Sequence, residues 1–139
     1  IEQKEKFDRV DDSVCAVRSA LQEGIIPGGG LALWRLSPDL EQDCDHPEED
    51  IANRILDAAL KSPLLQIMEN AGLDGDSIMD QPDLIDDTHG FDVKNEKYGD
   101  MFKMGVIDPL KVTKNALINA VSVATTILST DAIVTHARA

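Results

Sequence analysis

Apolar positions recur at three- and four-residue spacing from the start of the chain. Phe7, Val10, Val14, Val17 and Leu21 form one stripe, which predicts an amphipathic helix over residues 3–23. Gly24 stops it as a natural C′ residue, and Asp11 and Asp12 fall off the stripe on the solvated side. After "GIIPGGG" the run "LALWRL" predicts a short second helix that ends near Ser37-Pro38. Residues 39–50 are acidic and polar, the pattern of a surface loop. "EEDIANRILDAAL" predicts a third helix over 48–60, with Ile51, Ile55, Leu56, Ala59 and Leu60 on its inner side. Ser62-Pro63 reads as the start of a fourth, with Ser62 as N-cap and Pro63 at N1, stopped by Asn70-Ala71-Gly72. A short helix is expected from Asp76 to Asp80.

The period changes beyond residue 81. "GFDVKNEKYGDMFKMG" holds two short segments, 90–93 and 97–102, around a polar Lys94-Asn95-Glu96 turn, which predicts a small β-hairpin. In "DPLKVTKNALINAVSVATTILST", Asp108 reads as an N-cap and Pro109 as N1 of a helix running to about Ser129. That helix is apolar on nearly all sides and carries Ala116, Ala120, Ser122 and Ala124, so it is expected to be buried against several neighbours. "AIVTHA", residues 132–137, reads as a C-terminal strand. No internal repeat is present. The pattern as a whole is mainly α, with a small hairpin and one terminal strand.

Composition narrows the class. A chain of 139 residues with 42% hydrophobic content supports a core, and 4% aromatic content means that Leu, Ile, Val, Ala and Met must build it. A net charge of −13 argues against nucleic acid and against an anionic membrane surface as partners. No apolar run approaches the ~20 residues of a membrane-spanning helix. The opening "IEQKEKFDRVDD" is charged throughout, unlike a signal peptide, and a start at Ile1 rather than methionine suggests a fragment or a processed form. Cys15 and Cys44 read as free thiols of a reducing compartment. Cys44 and His46 are two potential ligands where a metal site needs more, and His89 and His136 add no useful spacing. No resident metal site is expected.

Three features could carry chemistry. Gly28-Gly29-Gly30 exposes backbone N–H groups at a helix start, which suits an anion or the polar edge of a nucleotide, or else a turn with close helix packing. It is neither a Walker A loop nor a dinucleotide fingerprint. Asp12 is a solvated charge or a group that orients a metal-bound water. Asp108 is a helix cap, a ligand, or both, because a carboxylate has two oxygens.

The series "RVDDSVCAVRSALQEGIIPGGG", "YGDMFKMGVIDPLKVTKNAL" and "NAVSVATTILSTDAIVT" resembles the C-terminal third of group I chaperonins, the GroEL family of bacteria and mitochondria. The resemblance covers residues from about 3 to 136; the loop 39–50 and the segment 73–89 are its least family-like parts. It implies that residues 1–23 are the returning helix of an intermediate domain and that 24–139 are the C-terminal half of a helical equatorial domain. The Gly-Asp-Gly-Thr phosphate loop and the Gly-Met tail of the family do not occur in this sequence.

The same resemblance implies site residues. Asp12 corresponds to the catalytic aspartate that positions the attacking water near the γ-phosphate. Gly29 corresponds to a backbone contact to the nucleotide, Asp108 to the carboxylate on the ribose hydroxyls, and Asp92, Val93 and Val106 to positions around the adenine. Position 92 is usually Asn in GroEL; Asp keeps an acceptor and loses the amide donor. Leu65 stands where GroEL has the arginine of its ring-to-ring contact, while the facing acid is kept as Asp74. The implied parent is an ATP-dependent protein-folding chaperonin that uses ATP and Mg²⁺, with K⁺ as an optional further ion. It would form a homo-oligomeric ring and act on non-native polypeptides with a co-chaperonin, in the bacterial cytoplasm or alternatively the mitochondrial matrix. A non-enzymatic helical assembly module is the alternative, which the joint presence of Asp12, Gly29 and Asp108 disfavours. The 139-residue chain itself is expected to lack ATPase activity and to self-associate.

Overall fold

A computed structural model describes residues 2–37, 46–81, 86–132 and 134–135. The elements in chain order are α1 (Glu2–Glu23), β1 (Ile25–Pro27), α2 (Leu31–Arg35), α3 (Pro47–Asn70), α4 (Gly75–Met79), β2 (His89–Asp92), β3 (Lys97–Asp100), α5 (Met101–Met104), β4 (Ile107–Pro109) and α6 (Leu110–Leu128). The architecture is mainly α with two two-stranded sheets, β1 with β4 and β2 with β3. The chain divides into two compact units, one of residues 1–24 with 109–139 and one of residues 25–108.

The second unit holds the core. Leu31, Leu64, Met68, Met79 and Met101 are buried together, with Trp34, Leu73, Ile78, Phe91, Val93, Met104 and Val106 packed around them. Methionine carries much of this core, as a chain poor in aromatics requires; its unbranched side chain fills irregular gaps. Arg35 at the end of α2 donates through Nη2 to the carbonyls of Asp86 and His89, at 3.1 and 3.0 Å, and so fastens α2 to the hairpin. The hairpin pairs antiparallel with His89 opposite Asp100 and Asp92 opposite Lys97. Phe91 and Tyr98 face each other across it with ring centroids 4.8 Å apart, and the Tyr98 hydroxyl donates to the Ile78 carbonyl at 3.3 Å.

The helix expected over 48–60 and the one expected from Pro63 are a single helix, α3, with Pro63 inside it. Proline removes the N–H that would bond the Ala59 carbonyl. Ala59 and Pro63 both lie on the exposed side, where water can take that carbonyl. Burial of Leu60, Leu64 and Met68 on the opposite side holds the helix through the break. The inner face is therefore Leu60–Leu64–Met68. Ile51 and Ile55, expected to point inward, are 58% and 64% exposed, and Ala59 is exposed as well.

The first unit is built differently. Its helices, α1 and α6, contain no buried residue. They are joined where α1 ends and α6 begins: Leu110 N–H donates to the Gly24 carbonyl at 3.1 Å, Lys111 donates to Gln22 at 2.5 Å, and Lys114 pairs with Glu23. The stripe of α1 stays exposed along its length, from Phe7 to Leu21. The expectation that α6 is buried on several sides is likewise overturned, with Ile118, Val123 and Leu128 in the open. One helix neighbour cannot cover a helix that is apolar all round.

Asp108 does not cap α6. It lies in β4, and the extended backbone continues through Pro109, which takes the cap position without a side-chain bond. The strand expected over 132–137 falls partly outside the described residues; at Ala132, Val134 and Thr135 the backbone pairs with no strand, and Val134 is 96% exposed. Hairpin strand β3 ends at Asp100 rather than 102, because Asp100 caps the short helix α5 by accepting from Phe102 N–H at 2.9 Å. Cys15 is an exposed free thiol; Cys44 and His136 lie outside the described residues.

Candidate functional site

The triple glycine turns the chain from β1 into α2, and its three members do different work. Gly28 donates its N–H to the Val106 carbonyl at 2.9 Å, and a Cβ there would meet Ile107 N at 3.0 Å. Gly30 has φ +82°, and a Cβ would lie 2.8 Å from the backbone nitrogen of Leu64. Both positions need glycine because another backbone passes close by, which is the packing explanation of the run. Gly29 has φ +67°, and no backbone crowds its Cα; its surroundings are the side chains of Met101 and Val106. Of the three, this middle glycine alone borders a cavity.

That cavity has a volume of about 430 Å³ and lies within the second unit. Its floor is the exposed side of the core, with Leu31, Leu64, Met68 and Met101, and its rim includes Gly29, Gly105, Val106 and Ile107. Asp92, Val93 and Lys94 complete the wall from the hairpin. An apolar slot with a few polar groups on one edge suits a flat, largely apolar ligand with a polar rim. Asp92 and Lys94 are the two charged side chains among the described residues that line it.

Asp92 is 7% exposed and fully engaged by its own turn. Its Oδ1 accepts from Lys94 N–H at 3.0 Å and its Oδ2 from the Asn95 side-chain amide at 2.5 Å. The Asn95 bond above all, with the backbone N–H groups of Lys94 and Asn95 and the Lys94 charge, holds its carboxyl below the ordinary range against the opposing effect of burial. Asp92 is thus a carboxylate at neutral pH and an acceptor only.

The structure brings Gly29, Asp92, Val93 and Val106 to this one cavity, four of the positions expected around a nucleotide. Asp108 is half-buried in β4 and is not among the residues lining the cavity. Asp12 belongs to the other unit, in the middle of α1, where it is exposed and its side chain makes no hydrogen bond or ion pair with the described residues. Sequence reasoning did not single out Lys94, Met101 or the Leu64–Met68 face of α3 as cavity lining. The methionines and leucines read only as core, and nothing in the local pattern shows that one side of a core is left open. The Leu65 side chain lies against Gly75, the chain neighbour of Asp74. Asp74 there accepts from the Ser77 hydroxyl at 2.5 Å, which lowers its pKa from the ordinary value.

This architecture is that of a chaperonin segment. The model of the TCP-1/cpn60 chaperonin family matches residues 2–138, and the chain belongs to that family. It is 43% identical over 138 residues to Chaperonin GroEL 2 of Cereibacter sphaeroides, with 98% of this chain and 26% of that protein covered, which groups it with the GroEL-like, group I members. It also superposes on a solved group III chaperonin in the open state with a TM-score of 0.71 and 28% identity, covering 84% of this chain and 25% of that one. The chain spans about a quarter of the length of these relatives.

Proposed function

We propose that this chain is the C-terminal equatorial portion, with the returning intermediate-domain helix, of an ATP-driven protein-folding chaperonin. Residues 1–23 would supply that helix and residues 24–139 half of the ATP-binding domain. The observation that carries the reading is the convergence of Gly29, Asp92, Val93 and Val106 on one apolar cavity of about 430 Å³. In this reading the cavity takes the adenine-nucleoside end of ATP, Gly29 lets the ligand approach the backbone, and Asp108 meets the ribose hydroxyls.

Asp12 acts on the attacking water. Its exposure and its lack of partners support that role, since an unpaired carboxylate is free to accept a water proton. Among the described residues no group of three or more His, Cys, Asp or Glu could hold a metal ion. This donor set would suit a Mg²⁺ that is brought by the nucleotide rather than held by a resident protein site. When bound, the ion neutralises charge on the phosphates; the chain's own part is to seat the nucleoside and to orient the water. K⁺ would have the same source of ligands. The ring of like subunits, the non-native polypeptide substrates, the co-chaperonin and a bacterial cytoplasmic or mitochondrial setting belong to this proposal. Leu65 in place of a cation leaves Asp74 without a charge partner for ring-to-ring contact.

The test uses the chaperonin subunit that carries this sequence. Asp12→Ala is expected to slow ATP turnover by about 100-fold or more and to leave ATP affinity within a few-fold, because a group acting on the water contributes in the transition state. Equal losses of turnover and affinity would make Asp12 a structural residue. The 139-residue chain alone is expected to release no phosphate from MgATP above a blank.

A further inference from the structure

We propose that Asp92 is a positioning residue, which shapes the cavity wall through its turn and does not itself read the base. The inference rests on the nucleoside reading of the cavity and assigns a role within it. Both carboxylate oxygens of Asp92 are directed to its own loop, one to Lys94 N–H and one to the Asn95 amide. The next two residues, Val93 and Lys94, line the cavity, whereas Asn95 is not among its lining residues. The strand register ends at Asp92 opposite Lys97, so residues 93–96 form a four-residue loop with no ladder of its own. That loop ends on Glu96 with φ 51°, a left-handed conformation that side chains other than glycine seldom adopt. Such a backbone persists when surrounding bonds fix it, and the Asp92 carboxylate supplies two of them. Asn95 therefore reaches the ligand only through Asp92 and the position of Val93 and Lys94.

The experiment measures adenosine affinity by equilibrium dialysis for the chaperonin subunit that carries this sequence, as wild type, Asp92→Ala, Asn95→Ala, the double variant and Asp92→Asn. Thermal unfolding of each variant fixes a temperature at which all are folded. Asn95→Ala is expected to weaken adenosine by about 3- to 10-fold, the effect of one hydrogen bond. Asp92→Ala should weaken it at least as much, and the double variant no further than Asp92→Ala. Asp92→Asn, which can still accept from Lys94 N–H and can bond Asn95 through its amide, should restore affinity to within about twofold of wild type. Wild-type affinity in Asn95→Ala together with a loss in Asp92→Ala would overturn the proposal and make Asp92 a direct base contact. Wild-type affinity in both single variants would overturn it too. Absence of adenosine binding by the wild-type subunit would overturn the nucleoside reading itself, a result distinct from either.

Discussion

The two compact units of this chain are both rich in helix, yet they use their apolar residues in opposite ways. In residues 25–108, short elements of three to five residues and one long helix bury Leu31, Leu64, Met68 and Met101 almost completely. In the unit of α1 and α6, two long helices of 22 and 19 residues bury no residue fully, and only a few such as Ala16, Ala20 and Leu117 are half-buried. Regular helical periodicity is strongest where packing is weakest. The lesson is that periodicity reports which side of a helix is able to pack, while burial needs a second surface. Short elements such as α2 and α4 have little stability of their own and exist because the core fixes them.

Core truncation should separate the units most sharply. Leu64→Ala removes a side chain that is 4% exposed, and it is expected to cost about 2–5 kcal/mol in denaturant unfolding of residues 25–108. Gly30→Ala should be of similar severity, since its Cβ would collide with the Leu64 backbone at a φ of +82°. Val14→Ala in the exposed stripe of α1 should cost less than about 1 kcal/mol. Comparable losses at Leu64 and Val14 would mean that α1 is packed in solution, and the contrast between the units would fail.

The uncovered faces lead to a second expectation, which concerns association. Val10, Val14, Val17, Ile118 and Val123 leave apolar surface open on α1 and α6, and each 100 Å² of it is worth about 2.5 kcal/mol when removed from water. The isolated chain is expected to form dimers or larger species in sedimentation at high concentration. Glutamate at both Val14 and Ile118 should return it toward monomer without lowering the unfolding midpoint of the core unit. A monomeric wild-type profile with no binding of a dye for apolar surface would contradict this.

Acid should produce the smallest effect, and it is expected at the hairpin of the core unit. Asp92 and Asp100 have carboxyls held below the ordinary range, Asp92 chiefly by Asn95. For Asp100 the effect of burial is outweighed by the bond from Lys103 and by the backbone N–H groups of Lys103 and Phe102. A folded-state pKa below the unfolded one gives stability that is present above the unfolded value and lost as the pH falls through the folded value. The hairpin of residues 89–100 should therefore loosen from about pH 4 downward. Asp92→Asn should flatten the pH dependence of the 93–96 amides. Hairpin amides that stay unchanged down to about pH 2 would contradict this loosening.

Much of the fold was legible because local chemistry specifies it. The 7-10-14-17-21 stripe and Gly24 set the extent of α1, and the alternation around Lys94-Asn95-Glu96 set the hairpin. The glycine run was legible as a special position but not in its division of labour, since only the tertiary fold places Val106–Ile107 beside Gly28 and Leu64 beside Gly30. The cavity was reached through family resemblance at four positions. Its floor was not, because no local signal distinguishes a leucine or methionine on an open side of the core from one on a closed side.

Sequence by itself determined where helices can form, which side of each is apolar, that the chain is acidic and poor in aromatics, and the family to which it belongs. These follow from spacing, composition and motif order, all of which are local or one-dimensional. Tertiary structure decided that Pro63 lies inside α3, that Asp108 extends β4 instead of capping α6, and that Ile51 and Ile55 remain exposed while Leu60, Leu64 and Met68 go inside. Each of these is a competition between a local preference worth about 1–3 kcal/mol and a set of long-range contacts. A proline or an N-cap prefers a helix start, but three buried side chains on α3 outweigh the one lost hydrogen bond, and pairing of β4 with β1 outweighs one cap.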